Sequence, residues 1–276
     1  MERRVFLQKM FITGALITNG RLAYSFFNAA DDKVVFRFTV ASDGHYGEKE
    51  TPYEQYFATA VRRINEHHSL FPSKFVVING DIIHDDPGFL QPAFQALSGL
   101  KPKLYVTQGN HDRVSPEVWQ QTWGMPLNHD FTMGNRAFLL GTTSNEKGTY
   151  LCPDMDWFAD RLEKHKRKKE VYIFIHITPK KWTRYGVDCP EFHELLAKYP
   201  NVRAVFNGHD HDHDDIKMSG GIPFLFDGRF GANSRWGTTY RGFRVVEVLK
   251  NGDLRTYIMN PDQQILLEQL KKQNAQ

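Results

Sequence analysis

Residues 75–81 read Phe-Val-Val-Ile-Asn-Gly-Asp. Five residues rich in Val, Ile and Phe end abruptly in Gly80-Asp81, which is how a buried strand stops at a loop carrying a carboxylate. The same punctuation recurs on both sides. Upstream, Val34–Val40 is followed by Asp43-Gly44-His45. Downstream, Leu104–Thr107 leads to Gly109-Asn110-His111-Asp112, Val171–Ile175 to His176, and Val202–Phe206 to Gly208-His209-Asp210-His211. Ala137–Gly141 is a further short apolar run. A lone Asp or His after a strand is ordinarily a turn former. Five strand ends bearing oxygen and imidazole groups predict one crevice, because side chains at the carboxyl ends of strands in α/β sheets converge.

Helical patterns lie between the runs. Thr51 and Glu54 have capping-box spacing with Pro52 at the first helical position, and Tyr56, Phe57, Ala60, Val61 and Ile64 then form one apolar stripe. Asp154–Lys168 predicts a second helix with Met155, Trp157, Phe158 and Leu162 inward and a basic end suited to its dipole. Near the carboxyl end, Phe243–Leu249 and Leu254–Met259 flank Asn251-Gly252, a hairpin signal. The expected sheet is therefore mixed.

Asp43, His45, Asp81, Asn110, His176, His209 and His211 make seven donors, more than one metal takes. Two metals sharing a carboxylate fit the number. Nitrogen and oxygen donors without thiolate favour Zn, Fe, Mn or Co. No Gly-x-Ser-x-Gly elbow and no Walker phosphate loop is present, and Phe158 and Leu195 occupy the places where a Cys-x5-Arg loop needs arginine. Water, rather than Ser or Cys, is the expected nucleophile.

The ordered set Asp-x-His, Gly-Asp, Gly-Asn-His-Asp, a lone His and Gly-His-x-His resembles the calcineurin-like metallophosphoesterase superfamily. The resemblance runs from residue 43 to 211, and the strand pattern extends it to about residue 260. It implies a four-layer αββα sandwich of two mixed sheets flanked by helices. It also implies two metal ions, with Asp43, His45 and His211 on one, Asn110, His176 and His209 on the other, and Asp81 bridging. His111 would face the substrate and assist the leaving oxygen, with Asp112 orienting it; a buried structural histidine is the other reading. Many relatives carry Asp three residues after the bridging Asp, where this chain has His84 followed by Asp85 and Asp86. His213 rivals His211 as a ligand in Gly-His-Asp-His-Asp-His.

Arg113 is a candidate for a phosphate oxygen. In the loop after His176, Lys180, Lys181 and Arg184 are candidates for a second anionic group, and Trp182 and Tyr185 for stacking on a base. Chain size and Gly109–Arg113 look closest to the bacterial branch of class III cyclic-nucleotide and glycerophosphodiester phosphodiesterases. The expected activity is hydrolysis of a small phosphodiester or phosphomonoester. A non-catalytic scaffold of the same fold and a nuclease are the alternatives; scaffolds tend to lose ligands, and all seven are present.

The net charge of +3 resides in the first thirty residues, where Arg3, Arg4, Lys9 and Arg21 face Glu2 alone. The remaining chain is neutral, which speaks against nucleic acid as a partner. Arg3-Arg4-Val5-Phe6-Leu7, a short apolar run from Met10 to Ile17 and small residues at Ala23, Ser25, Ala29 and Ala30 resemble a twin-arginine export signal. The expected organisation is thus a signal over residues 1–30, a metallophosphoesterase domain over 31–276 and a periplasmic location, with a packed N-terminal helix and a cytoplasmic location as the alternative. The run is too short to span a bilayer. Cys152 and Cys189 either pair in an oxidising compartment or stay as thiols.

Overall fold

The computed structural model describes residues 11–18, 20–28, 33–211, 213, 215–232 and 241–260. Strands β1 (Phe11–Thr18), β2 (Arg21–Asn28), β3 (Val34–Ala41), β4 (Phe75–Asn79), β5 (Lys103–Thr107), β12 (Phe243–Leu249) and β13 (Leu254–Met259) form one sheet, in the order β2-β1-β13-β12-β3-β4-β5. The second sheet holds β6 (His129–Met133), β7 (Arg136–Gly141), β8 (Glu170–Ile175), β9 (Val202–Asn207), β10 (Ile216–Ser219) and β11 (Ile222–Phe226), in the order β10-β11-β9-β8-β7-β6. β3, β4 and β5 run parallel, as do β7, β8, β9 and β11, while the outer strands pair antiparallel. Both sheets are mixed, as the sequence predicts.

Three apolar clusters explain the layering. On β4, Val76 and Ile78 face one side and Phe75 and Val77 the other, the period of two expected of a strand buried on both faces. The first side meets helices α1 (Tyr53–Leu70), α2 (Leu90–Leu97) and α3 (Pro116–Trp123) through Phe57, Ile64, Leu90 and Trp119. The other side meets the second sheet through Phe38, Phe138, Tyr172, Phe174 and Phe206. Phe38 and Phe75 stack at 5.1 Å and Phe206 meets Phe38 edge-on at 5.6 Å; each fully buried ring contributes roughly 1.5–3 kcal/mol. Helices α4 (Met155–His165) and α5 (Pro190–Ala197) cover the far face through Phe158, Leu162 and Phe192. These are the four layers of an αββα sandwich. Within the first sheet Glu247 stands opposite both Arg37 and Arg255 and accepts from their Nε atoms at 2.7 and 2.6 Å, so the one buried carboxylate satisfies two buried cations.

Local details differ from expectation. The capping box does not form: Pro52 precedes α1 without a side-chain cap, and Thr51 Oγ1 donates back to the Glu48 carbonyl at 2.8 Å. Helix α4 is capped by Asp154, whose carboxylate accepts from Trp157 N at 3.0 Å, and ends at His165 rather than Lys168.

Arg3 and Arg4 lie outside the described residues, as do Ala29 and Ala30. Of the apolar run from Met10 to Ile17, residues 11–17 lie in β1. β1 and β2 make a hairpin that adds to β13, burying Ala15 and Ile17 in the central cluster. No helix among the described residues is long and apolar enough to cross a membrane.

Candidate metal centre

The ends of β3, β4 and β5 in one sheet and of β8 and β9 in the other open into one crevice. Crossed backbone hydrogen bonds tie the first turns together: Asp43 N donates to Gly80 O at 3.1 Å and His45 N to Asp81 O at 3.0 Å. Asp43, His45, Asp81, Asp85 and His209 all take positive φ, between 49° and 69°. Such conformations cost a non-glycine residue about 1–3 kcal/mol each and persist where surrounding structure over-determines them. Close approach explains two glycines. A Cβ at Gly109 would lie 2.2 Å from Asp81 Oδ1, and one at Gly208 would lie 1.9 Å from Ser42 Oγ.

Six of the seven donors converge as two groups. In the first, His211 Nε2 lies 3.0 Å from both Asp43 Oδ1 and His45 Nε2. In the second, Asp81, His176 and His209 gather, with His176 Nε2 3.1 Å from Asp81 Oδ2. Asp81 Oδ2 is also 3.7 Å from His45 Nε2, so this carboxylate stands between the groups. Within each trio the nearest ligand-type atoms fall within 4.8 Å of one another. His211, not His213, completes the first trio; the His213 ring packs 5.7 Å from Phe226.

These residues fit metal ions. Asn110 Oδ1 and His209 Nε2 are buried without a hydrogen-bond partner among the described residues, an arrangement that costs free energy unless a cation meets them. His176 Nδ1 donates to the Asn79 carbonyl at 2.7 Å, which fixes the tautomer and turns Nε2 toward the crevice. Asn79 is itself held, its amide donating to Phe206 O at 3.1 Å and its Oδ1 accepting from Thr107 at 2.8 Å.

The charges are strongly coupled. Burial pulls the His176 pKa down, but the carboxylates of Asp81 and Asp43 outweigh it and raise it to about 10. Burial raises Asp81 and Asp43, yet the positive charge of His176 overrides it and holds both well below the ordinary carboxylate value. His45 and His209 are pushed down by burial to about 4 and about 3, which keeps them neutral and able to donate lone pairs.

His111 and Asp112 part company. The His111 ring sits 4.8 Å from that of His45 and lines the crevice, and its Nδ1 lies 2.9 Å from Asp85 Oδ1. Asp112 does not orient it. The Asp112 carboxylate is buried and accepts from Ile83 N at 2.9 Å and Gly109 N at 2.8 Å, clamping two site loops, and burial pushes its pKa to about 8. The carboxylate on His111 thus comes four residues after Asp81. His84, at the place where many relatives have Asp, points Nδ1 at His45 Nδ1 across 2.9 Å and stacks on His111 at 4.8 Å. With His45 Nε2 turned to the first trio, His84 is the group that fixes the other side of that imidazole.

The remaining sequence candidates are not gathered. Arg113 Nε pairs with Asp85 at 3.0 Å, at the margin. Lys181 and Arg184 are exposed, and Trp182 turns away to pack on Phe224 at 5.1 Å. Tyr185 does line the crevice, as do Glu48 and Tyr150, which carry no motif that sequence reasoning recognises. The cavity measures about 280 Å³.

A family model for calcineurin-like phosphoesterases matches residues 36–213. Among solved structures, the chain is similar to a dimetal phosphatase from Danio rerio at 14% identity and a TM-score of 0.62, covering 80% of this chain and 98% of that one. It is similar to the calcineurin-like phosphoesterase YfkN from Bacillus subtilis at 13% identity and a TM-score of 0.56, covering 88% and 97%. A 5'-nucleotidase from Candida albicans aligns at 14% identity and a TM-score of 0.56, covering 87% of this chain and 54% of that one. At such identities the likeness shows the fold alone. No protein of curated function matches the chain. The family match spans the stretch that carries all five strand-end motifs, and the chain belongs to the calcineurin-like phosphoesterase family.

Proposed function

We propose that the protein hydrolyses small phosphate esters, diesters in preference to monoesters, at a centre of two metal ions. One observation carries the reading: two donor trios lie side by side, with Asp81 of the second 3.7 Å from His45 of the first, at a crevice that also presents His111. Asp43, His45 and His211 would hold one ion, and Asn110, His176 and His209 the other. Bound there, two divalent ions supply an activated water and neutralise charge developing on the phosphoryl group. Asp81 holds the halves in register. Asp85 holds His111 by Nδ1 and leaves Nε2 for the proton that a leaving alkoxide needs. A 280 Å³ cavity suits one small ester better than a polynucleotide strand. The diester preference rests on the resemblance of Gly109–Arg113 and of chain size to the bacterial diesterase branch.

The test is a panel of mono- and diesters assayed with Mn, Zn, Co and Fe. Hydrolysis that chelation abolishes and metal restores, faster on diesters, is the expected result. A chain that binds metal yet hydrolyses no ester would turn the reading to a non-catalytic scaffold. Export to the periplasm belongs to the same proposal. The disulfide between Cys152 and Cys189 supports it, since such bonds persist in oxidising compartments. Removal of residues 1–30 would take away the β1–β2 hairpin and leave β13 as the sheet edge.

A further inference from the structure

The rim of the crevice is lopsided. On the side of the first trio stand Glu48, His84 and His111, all polar. On the His209 side stand two tyrosines from different loops. Tyr150 lies in the loop between β7 and α4, with its ring perpendicular to the His209 imidazole at 4.7 Å. Tyr185 lies in the loop between β8 and α5, 5.8 Å from the same imidazole and again nearly perpendicular.

Both loops are built to hold these rings still. Tyr150 forms an antiparallel bridge with Ser144, and Leu151 N donates to Thr143 O at 2.8 Å. Gly148 presses against the Asn110 carbonyl so closely that a Cβ there would stand at 2.6 Å. In the second loop, Gly186 N donates to Thr183 Oγ1 at 3.1 Å and Val187 N to Thr178 O at 3.0 Å. The Cys152–Cys189 disulfide then joins the loops, two residues past Tyr150 and four past Tyr185. The Arg184 guanidinium covers one side of the Tyr185 ring at 4.5 Å.

We propose that Tyr150 and Tyr185, locked together by the Cys152–Cys189 disulfide, form a binding wall for a planar aromatic group carried on the phosphate ester. The proposal rests on the phosphoesterase reading of the crevice. With the phosphoryl group over the two trios, the organic group lies toward one rim or the other. An apolar ring directed at Glu48 and His84 would desolvate polar groups without replacing their partners. Directed at the tyrosines, it meets rigid aromatic surface whose ordering cost is already met by the disulfide and the loop hydrogen bonds.

The experiment compares two non-hydrolysable inhibitors of the metal-saturated whole chain, phenylphosphonate and methylphosphonate, against a small alkyl ester. Neither has a leaving group, so only binding is read. Stacking predicts that wild type binds phenylphosphonate about tenfold more tightly than methylphosphonate. That ratio should fall to near one in Tyr150→Ala and in Tyr185→Ala, and stay near wild type in Tyr150→Phe. In the double variant Cys152→Ser/Cys189→Ser it should fall at least about threefold with metal content retained, since loosened loops must order on binding. A wild-type ratio near one, or a ratio unmoved in both alanine variants, overturns the wall. A ratio unmoved in the cysteine variant overturns the lock. Absence of inhibition by both phosphonates together with absence of hydrolysis is a different failure: it removes the phosphoesterase reading, and the wall with it.

Discussion

Asp85→Asn separates the two carboxylates near His111. Asp85 Oδ1 lies 2.9 Å from His111 Nδ1 and 3.0 Å from Arg113 Nε, while Asp112 is spent on backbone amides. A hydrogen bond to a charged group is worth about 1.5–3 kcal/mol net. The Asp85 and His111 side chains are 40% and 28% exposed, so solvent screening brings the expected loss to about 1–2 kcal/mol. That converts to roughly 5–30-fold in rate, provided His111 protonates the leaving oxygen. An alkoxide needs that proton and p-nitrophenolate does not. Steady-state kinetics on matched alkyl and p-nitrophenyl diesters should therefore show Asp85→Asn slowing the alkyl ester by about tenfold and the p-nitrophenyl ester by less than about threefold, with metal content unchanged. Asp112→Asn should instead lower folding stability, by about 1–3 kcal/mol in urea unfolding, because one of the two buried acceptor oxygens becomes a donor facing a backbone N–H. Equal slowing of both esters by Asp85→Asn, or none, would refute the role given to the Asp85–His111 pair.

Asp81→Asn should cost more activity than any other single ligand change, because Asp81 serves both trios; activity within about tenfold of wild type, about 1.4 kcal/mol, would contradict the bridge. Metal uptake should release protons. The His176 pKa is raised to about 10 in the metal-free fold, above the unfolded value, so its proton stabilises that fold fully below about pH 6.5 and the contribution fades as pH rises toward 10. Burial lowers the His211 pKa, but the nearby Asp43 carboxylate outweighs it and raises this one as well. A metal must displace these protons, so apparent affinity should rise with pH across this range; calorimetry in buffers of differing ionisation enthalpy should detect at least about one proton released per chain at pH 7, and none would count against the assignment. Replacing Arg3 and Arg4 together with lysine should retain the precursor inside the inner membrane, and normal export of shortened protein would exclude the twin-arginine reading.

The strands that carry the site were legible because each is a short apolar run ended by a glycine-bounded polar turn, and both local signals survive folding. The β12–β13 hairpin was legible from Asn251-Gly252 for the same reason. Other elements lacked such a signature. β6 reads His-Asp-Phe-Thr-Met, a half-buried edge strand without clean alternation. Helices α2 and α3 are eight residues each, too short for a stripe to stand out. The β1–β2 hairpin was hidden because an apolar run after paired arginines reads as a leader before it reads as a strand. At the site, ligand-type residues followed from the ordered motifs. Their partners did not: whether Asp85 or Asp112 meets His111 depends on the positive φ of Asp85 and the depth of Asp112, and both are set by tertiary packing. Tyr150 was invisible for a related reason, since only the fold brings the loops of Cys152 and Cys189 side by side.

Two metals bridged by Asp81 is the central claim, and anomalous scattering from crystals of Mn- or Zn-loaded protein tests it most directly. The account predicts two peaks about 3.5–4 Å apart. One should lie among Asp43, His45 and His211 and the other among Asn110, His176 and His209, with Asp81 reaching both. A single peak at saturating metal, or a peak held by His45, His84 and His111, a third trio among the described residues close enough to hold an ion, would contradict it.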